Sequence, residues 1–225
     1  RGGKLKSTWA EWRPYIFIGL FDNAVPGVLT SWGQLHIDSG LTTILLALAP
    51  LFTVFLAHYF SDNDKLNSQK TIGITLGLLG TLILVGPSAL RNVGANLWGQ
   101  LAIIASALCF AVTAIYVRTT FQKKSESPLD SALETLTHQL FMSTLFLVPF
   151  AWVIDSPWTL QPSLASMAAL LASGWGISIT AMLIYYYIIN TIGASVASST
   201  LYLIPINGVF WGAMLLSEPV TWSMI

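Results

Sequence analysis

Residues 39–60 read SGLTTILLALAPLFTVFLAHYF, a run of 22 residues without Lys, Arg, Asp or Glu. An α-helix of this length extends over about 33 Å, at about 1.5 Å per residue, which is enough to cross the hydrocarbon core of a bilayer. Because lipid offers no hydrogen bonds, a spanning chain must form a helix or a closed barrel, and an unbroken apolar run lacks the alternation of a barrel strand. The stretch therefore predicts a transmembrane helix.

The composition of the whole chain agrees with a membrane location. Only 9% of the 225 residues are charged and 54% are hydrophobic, whereas about 25% of the residues of a soluble protein are charged. The formal net charge is zero, so the chain lacks the basic excess of a nucleic-acid-binding protein. We therefore predict an all-α integral membrane protein that has the lipid bilayer as a partner and binds no nucleic acid.

Apolar runs predict seven spans, which are residues 14–37, 39–60, 71–86, 98–117, 131–154, 164–190 and 194–216. If these spans alternate across the membrane, nine of the ten Lys and Arg residues lie on one side and only Arg91 lies on the other. Lys and Arg accumulate in cytoplasmic loops, so we expect the chain to start in the cytoplasm. Because it begins without Met and ends in TWSMI, which resembles the start of another span, we expect a piece of a longer protein.

A duplication relates the two ends of the chain. At a constant offset of 155 residues, without a gap, identical residues recur, among them Gly19 with Gly174, Ile37 with Ile192, Pro50 with Pro205, Val54 with Val209, and Phe55 with Phe210. Spans one and two thus correspond to spans six and seven, five crossings later, and an odd shift makes the two copies run in opposite directions. Such inverted repeats are typical of transporters, whose halves move about a site between them. We predict a first unit, residues 1–90 with three spans, and a second unit, residues 91–225 with four.

Short motifs in both units resemble a known family. The first unit has a mid-span Pro50, then Asp64-Lys65-Leu66 and Lys70-x-x-Gly73, and the second has Ile192-Gly193-Ala194, Pro205 and Leu216-Ser217-Glu218-Pro219-Val220-Thr221. This pattern resembles the EamA-type transporters of the drug/metabolite transporter superfamily. The resemblance implies an inverted repeat of five plus five helices that moves small metabolites, often amino acids or related compounds. Two spans would precede residue 1 and one would follow Ile225, and Asp64 stands where Glu is common.

Polar side chains within the spans are the candidates for lining a substrate cavity, because such groups usually face the bundle or water and not lipid. The candidates are Asn23, Thr30 and Gln34 in span one, His138 in span five, Trp175 and Tyr185 in span six, and Thr200, Asn207 and Trp211 in span seven. Their spacing places the members of each span on one helical stripe. For each single residue, a hydrogen bond between helices is the alternative to substrate contact.

Three further residues have special candidate roles. Asp22 lies inside span one, where a carboxyl group is costly and often functional. It is our candidate for proton coupling, and pairing with a Lys or Arg near the cytoplasmic end is the alternative. Pro50 and Pro205 each remove a backbone hydrogen bond near mid-membrane and are candidates for helix bending.

We expect a secondary transporter that moves a small-molecule substrate by alternating access, in the bacterial inner membrane. No G-x-x-x-x-G-K-[ST] loop for ATP is present in the sequence, and no His, Cys or carboxylate pair has metal-binding spacing, so we expect no cofactor, no metal site and no enzyme. The alternative is a seven-helix receptor or photosensor. The inverted repeat and the absence of Lys from span seven argue against that alternative.

Overall fold

The structure is a computed structural model, and it describes residues 9–61, 64–86, 90, 93–121, 127–152, 157–159, 161–207 and 214. Throughout these residues the regular structure is helical and no strand is present. The α-helices within the described ranges are α1 (Trp9–Ile18), α2 (Val25–Gln34), α3 (Ser39–Leu46), α4 (Ala49–Phe60), α5 (Ser68–Val85), α6 (Leu97–Phe121), α7 (Pro128–Phe150), α8 (Leu164–Leu171), α9 (Ile179–Thr191) and α10 (Ala194–Ser199). Other helical segments are the π-helices Gly19–Ala24 and Ala172–Ser178 and the 3-10 turns Pro157–Thr159 and Thr200–Tyr202.

Local hydrogen bonds fix several helix ends. The Asn67 side chain accepts a hydrogen bond from the Lys70 N–H at 2.8 Å and caps the start of α5. The Ser127 hydroxyl accepts one from the Asp130 N–H at 3.3 Å and caps α7. Both satisfy backbone donors that the first turn of a helix leaves free. Gly86, with φ of +85°, ends α5 in a conformation that side-chain-bearing residues rarely adopt.

Among the described residues, three helical stretches are long and apolar enough to cross a membrane, namely Ser39–Phe60, Ser68–Val85 and Leu97–Phe121. On α5 the side chains of Ile72, Leu76 and Ile83 are 58%, 63% and 67% exposed. A row of exposed apolar side chains along a helix suits contact with lipid. The predicted fold class, an all-α integral membrane protein, is confirmed, whereas the number of crossings stays a prediction.

Helix α6 is the centre of the bundle. It contacts α2, α3, α4, α9 and α10, and about half of its 25 residues are buried. Ala107 and Ala111 are both fully buried. Small side chains such as these allow neighbouring helices to approach closely. At the cytoplasmic end predicted from the charges, Val117 joins a core cluster with Tyr15 and Ile189.

The predicted spans are interrupted where the sequence predicted continuous helices. Span one contains the π-helix Gly19–Ala24, and span six contains the π-helix Ala172–Ser178. Span two breaks between α3 and α4, just before Pro50, and span seven has the 3-10 turn Thr200–Tyr202, just before Pro205. At the offset of 155 residues, the two π-helices overlap, and so do the two breaks. The irregular backbone of the first unit is therefore repeated in the second, which favours the predicted duplication.

Candidate functional site

Asp22 lies at the centre of a buried hydrogen-bond network that joins three spans. It sits in the π-helix of span one and is only 5% exposed. Gln139 of α7 donates from Nε2 to Asp22 Oδ2 at 2.9 Å. The Tyr186 hydroxyl of α9 lies 2.6 Å from Asp22 Oδ2 and 2.5 Å from Gln139 Oε1. Within the part of the chain that the structure describes, both hydrogen-bond partners of Asp22 are therefore uncharged.

The number of hydrogens in this network indicates the protonation state of Asp22. The three contacts among Asp22, Gln139 and Tyr186 need three hydrogens. When Asp22 is ionised, the Gln139 amide and the Tyr186 hydroxyl supply only two, because a carboxylate accepts and does not donate. Exchanging the nitrogen and oxygen of the Gln139 amide does not change the count. All three contacts are satisfied together only when Asp22 carries a proton.

The π-helix and a glycine bring α7 close enough to form the network. A Cβ atom at Gly19 would lie 2.6 Å from Met142 Cβ, so only glycine permits this approach. The Gly19 carbonyl accepts a hydrogen bond from the Ser143 hydroxyl at 3.0 Å. Because Gln139 precedes Ser143 by one turn, the same approach places its amide beside Asp22.

A cavity of about 320 Å³ lies beside Asp22. Its polar lining consists of Asp22, Tyr185 and Thr200. The remaining lining residues are apolar and come from three spans: Phe110, Ala181, Met182, Leu201 and Ile204. Both hydrogen bonds of Asp22 are made by Oδ2, so Oδ1 is the acceptor that remains for a ligand. This arrangement, an apolar cavity with few polar groups, is typical of small-molecule sites.

A second cluster lies on the predicted cytoplasmic side, at the motif residues of both units. Asp64, which is 2% exposed, binds Lys70 Nζ through Oδ1 at 2.5 Å and the Ser195 N–H through Oδ2 at 3.0 Å. A Cβ atom at Gly193 would lie 2.9 Å from Asp64 Oδ2, and Gly193 has φ of +137°. Burial alone would raise the pKa of Asp64, but the hydrogen bonds from Lys70 and Ser195 outweigh it and hold the pKa below its usual value.

Arg118 extends this cluster to the end of α9. The guanidinium of this residue, which is 4% exposed, donates to the backbone carbonyls of Ile189 and Asn190, at 2.7 Å each. Carbonyls at the end of a helix lack intrahelical partners and favour a positive charge. Arg118 of α6 is thereby fixed to the turn that carries Gly193.

The chain matches the sequence profile of a known protein family over most of its length. The profile of the EamA-like transporter family matches residues 1–86 and 97–225. The chain belongs to the EamA-like transporter family. The meeting of Asp64 and Gly193 thus joins two motifs by which the sequence resembles this family.

Similar proteins are transporters by name. The chain is 28% identical to the uncharacterized transporter YoaV of Bacillus subtilis over 88% of its own length and 65% of that protein. It is 25% identical to the uncharacterized inner membrane transporter YedA of Escherichia coli K12, over 91% of its length and 63% of YedA. The chain therefore spans about two thirds of these relatives. None of the relatives named here is a receptor or a photosensor.

Two more distant proteins are also similar to the chain, one with a substrate in its name and one with a known structure. A probable terminal-alkyne amino-acid exporter of Streptantibioticus cattleyicolor is 22% identical over 79% of this chain and 56% of that protein. A protein of known crystal structure superposes on 100% of this chain and 75% of its own, with a TM-score of 0.76 and 18% identity. The second similarity shows the fold alone. The predicted location in the bacterial inner membrane is confirmed by the membrane helices and by the relatives, of which YedA is an inner membrane transporter.

In this member of the EamA-like transporter family, the cavity brings together three of the predicted residues, Asp22, Tyr185 and Thr200. Asn23, the neighbour of Asp22, is partly buried, and its Nδ2 has no hydrogen-bond partner among the described residues. Thr30 instead bonds the hydroxyl of Ser106 at 2.8 Å, which is a contact between α2 and α6. Thr30 therefore makes a hydrogen bond between helices, and substrate contact by it stays a prediction.

The other predicted cavity residues lie away from this cavity or outside the described residues. Gln34 is exposed at the end of α2, and Asn207 is exposed and donates to the Leu203 carbonyl at 2.9 Å. His138 bonds the Glu134 carbonyl at 2.8 Å and stacks on Tyr15 at 4.6 Å between ring centroids. The side chain of Trp175 and the whole of Trp211 lie outside the described residues. Substrate contact by these residues stays a prediction.

The two prolines stand at the helix breaks. Pro50 lies in the first turn of α4, where its missing N–H removes no helical hydrogen bond. Pro205 lies in the helical residues that follow the turn Thr200–Tyr202. Their role in bending during transport stays a prediction.

Three residues of the site escaped the sequence analysis: Phe110, Gln139 and Tyr186. Gln139 follows His138 directly, and Tyr186 follows Tyr185, so the predicted stripes selected the neighbouring position. The signal that could have found Gln139 is the recurrence of uncharged polar residues every four positions in α7, at Thr135, Gln139 and Ser143, all of them buried.

Proposed function

We propose that the chain is the main part of a secondary transporter, which moves a small molecule across the inner membrane by alternating access. The central site is the cavity beside Asp22. It draws lining residues from span one of the first unit and from spans four, six and seven of the second. Sites between inverted units near the membrane midplane are typical of such transporters.

The observation that carries this proposal is the contact between the two units on the predicted cytoplasmic side of the cavity. Asp64 of the first unit accepts the N–H of Ser195 in the second. Tyr15, near the start of span one, donates to Glu134 of α7 at 2.7 Å. Alternating access requires contacts of this kind to form on one side of the site while the other side opens.

Opening towards the cytoplasm would separate the loop after α4 from the turn between α9 and α10. The polar link to be broken is the backbone hydrogen bond by which Asp64 holds Ser195, and it lies beside the apolar packing of Ala57 and Ala194. Polar links of this kind can be exchanged for water when the cytoplasmic side opens. We assign the closing of the cytoplasmic side to Asp64, with Lys70 holding its charge in place.

Proton coupling at Asp22 completes the proposal. The network with Gln139 and Tyr186 is satisfied when Asp22 is protonated, and removal of that proton leaves one contact without a hydrogen. The carboxyl group also lines the cavity, so ligand and proton can affect the same group. The related exporter of a terminal-alkyne amino acid supports a small organic molecule as the substrate.

The test uses the full-length protein in proteoliposomes. A Cys109→Ala background removes the one cysteine of this chain, and Ser195→Cys places a thiol at the buried contact with Asp64. A transported solute, found by counterflow with a panel of small metabolites, should change the rate at which a thiol reagent on the cytoplasmic side labels this cysteine. If solutes move without any change in labelling, alternating access at this contact is wrong. If no solute of the panel moves, transport itself is unsupported.

A further inference from the structure

The carboxyl group in the cavity points to a particular substrate class. The described residues that line the cavity include one acidic side chain, Asp22, and no Lys, Arg or His. An anionic ligand would thus meet a carboxyl group without a compensating cation. Arg118, which lies on α6 together with Phe110, is engaged with the carbonyls of Ile189 and Asn190.

The geometry of Asp22 leaves one oxygen for the ligand. Gln139 and Tyr186 both contact Oδ2, and together they hold the carboxyl group in one orientation. Oδ1 takes part in neither contact, and Asp22 lines the cavity. The acceptor offered to a ligand is therefore fixed in direction before the ligand arrives, which favours a donor such as N–H.

The walls of the cavity favour a positive charge on an apolar body. Phe110 and Tyr185 line the cavity, and an aromatic face attracts a cation within about 6 Å. Met182, Leu201 and Ile204 supply apolar surface for the rest of the ligand. The volume of about 320 Å³ lies near the lower end of ligand pockets, which is about 300–1,000 Å³.

We propose that this cavity binds an organic amine in its ammonium form, with an apolar body of the size of an aromatic ring and no carboxylate. The ammonium group donates to Asp22 Oδ1 and supplies the positive charge that balances the ionised carboxylate. The proposal rests on the proposed transport function, because it names the substrate class for the same site. It separates simple amines from amino acids, whose carboxylate has no cationic partner among the described lining residues.

The test measures binding, not transport, so that it succeeds or fails separately from the proposed function. Isothermal titration of the purified full-length protein in nanodiscs would compare four compounds of similar shape. They are 2-phenylethylamine, the neutral 2-phenylethanol, the anion 3-phenylpropionate and the zwitterion phenylalanine. At mildly alkaline pH the amine is still an ammonium ion. We expect the amine to bind at least about tenfold more tightly than the other three, the effect of one charge-assisted hydrogen bond.

Two variants test whether 2-phenylethylamine binds at Asp22. Asp22→Asn should weaken binding of 2-phenylethylamine at least about tenfold, whereas the control Asp130→Asn, at an exposed position in the first turn of α7, should not change it. Binding by the alcohol, the anion or phenylalanine as tight as that of the amine would overturn the proposal. Absence of amine binding to the wild-type protein would also overturn it, and this result does not depend on whether a variant folds. Counterflow of another solute in that case would leave the proposed transport function intact.

Discussion

Asp64 and Ser195 meet although they are 131 residues apart in the chain, and Asp64 Oδ2 accepts the Ser195 backbone N–H at 3.0 Å. Ser195 lies in the first turn of α10, whose N–H groups have no intrahelical partner and favour a negative charge. The other oxygen of Asp64 binds Lys70, six residues further along. One carboxylate thus connects a cation of the first unit with a helix start of the second.

Removing the cation should weaken this connection. Lys70→Gln leaves the buried Asp64 without its partner, and a broken buried ion pair costs about 3–5 kcal/mol. Because 22% of the Lys70 side chain is exposed, we expect a smaller loss, about 1–3 kcal/mol. We also expect faster labelling of Ser195→Cys by a thiol reagent on the cytoplasmic side. The measurements are thermal unfolding in detergent and the labelling rate.

Lys65→Gln is the matched control for Lys70→Gln. Lys65 lies in the loop just before α5 and is exposed, and its Nζ donates to the His58 carbonyl at 3.2 Å instead of to a carboxylate. Its replacement should change the free energy of unfolding by no more than about 0.5 kcal/mol. Equal effects of the two variants on stability and labelling would show that the pair of Lys70 with Asp64 does not hold the two units together.

The stability that Asp64 contributes should depend on pH in a defined direction. The pKa of Asp64 is lower in the folded protein than its ordinary value of about 3.9. Its contribution is therefore complete above that ordinary value and is lost as the pH falls through the folded-state pKa. The melting temperature of wild type should exceed that of Asp64→Asn by a constant difference near neutral pH. That difference should shrink below about pH 4, and a difference that grows on acidification would contradict the assignment.

Gly19 should be indispensable for the site, because it permits the approach of α7. Gly19→Ala places a Cβ atom 2.6 Å from Met142 Cβ, and such overpacking costs about 1–3 kcal/mol. The displaced α7 would withdraw Gln139 from Asp22, so we expect a lower transport rate together with lower thermal stability. Gly27→Ala is the control within the same span, since nothing lies within 4 Å of its Cβ position. Similar behaviour of the two variants would show that α7 adjusts without loss.

The fold class and part of the candidate site could be predicted from the sequence. The apolar run of residues 39–60 and the low charge content predicted a helical membrane protein, because burial in lipid restricts both composition and backbone. Asp22, Tyr185 and Thr200 line the same cavity, and each could be selected as a polar group inside an apolar span. The prolines marked the positions near which spans two and seven break.

The remaining features depend on packing between distant segments. Neither the π-helix Gly19–Ala24 nor its counterpart Ala172–Ser178 has a local sequence signal, and a π-turn rotates the following side chains relative to a regular α-helix. A stripe drawn at regular spacing does not follow this rotation. In α7, which is a regular α-helix, Gln139 meets Asp22 through packing between distant segments, and the sequence analysis selected only its neighbour His138. The bond between Asp64 and Ser195 joins residues whose proximity follows only from the packing of α4 against α10.

The predicted orientation can be tested with single cysteines in a Cys109→Ala background. Asn67→Cys lies in the loop between α4 and α5, and Gln161→Cys lies before α8, both at exposed positions. The distribution of Lys and Arg places the first in the cytoplasm and the second outside. An impermeant thiol reagent added to intact cells should label Gln161→Cys and leave Asn67→Cys unlabelled until the membrane is permeabilised. The reverse pattern would invert the orientation and with it the assignment of the Asp64 cluster to the cytoplasmic side.

Asp22→Asn tests proton coupling most directly. Asparagine has nearly the shape of aspartic acid but cannot exchange a proton, so the side chain stays neutral throughout the cycle. In proteoliposomes, accumulation of substrate driven by a proton gradient should be abolished. Exchange of labelled for unlabelled substrate, at saturating concentration, needs no net proton movement and should persist.

Tyr186→Phe distinguishes the role of the Asp22 carboxyl group from the role of its hydrogen bond to Tyr186. It removes the hydroxyl that lies 2.6 Å from Asp22 Oδ2 but retains the titrating carboxyl group. Accumulation should therefore persist in this variant, with a changed dependence on pH, because the hydrogen bonds to the carboxyl group set which protonation state is favoured. Loss of both accumulation and exchange in Asp22→Asn would assign Asp22 to binding or structure. Unchanged proton-driven accumulation in Asp22→Asn would eliminate Asp22 as the carrier, because asparagine cannot exchange a proton near neutral pH.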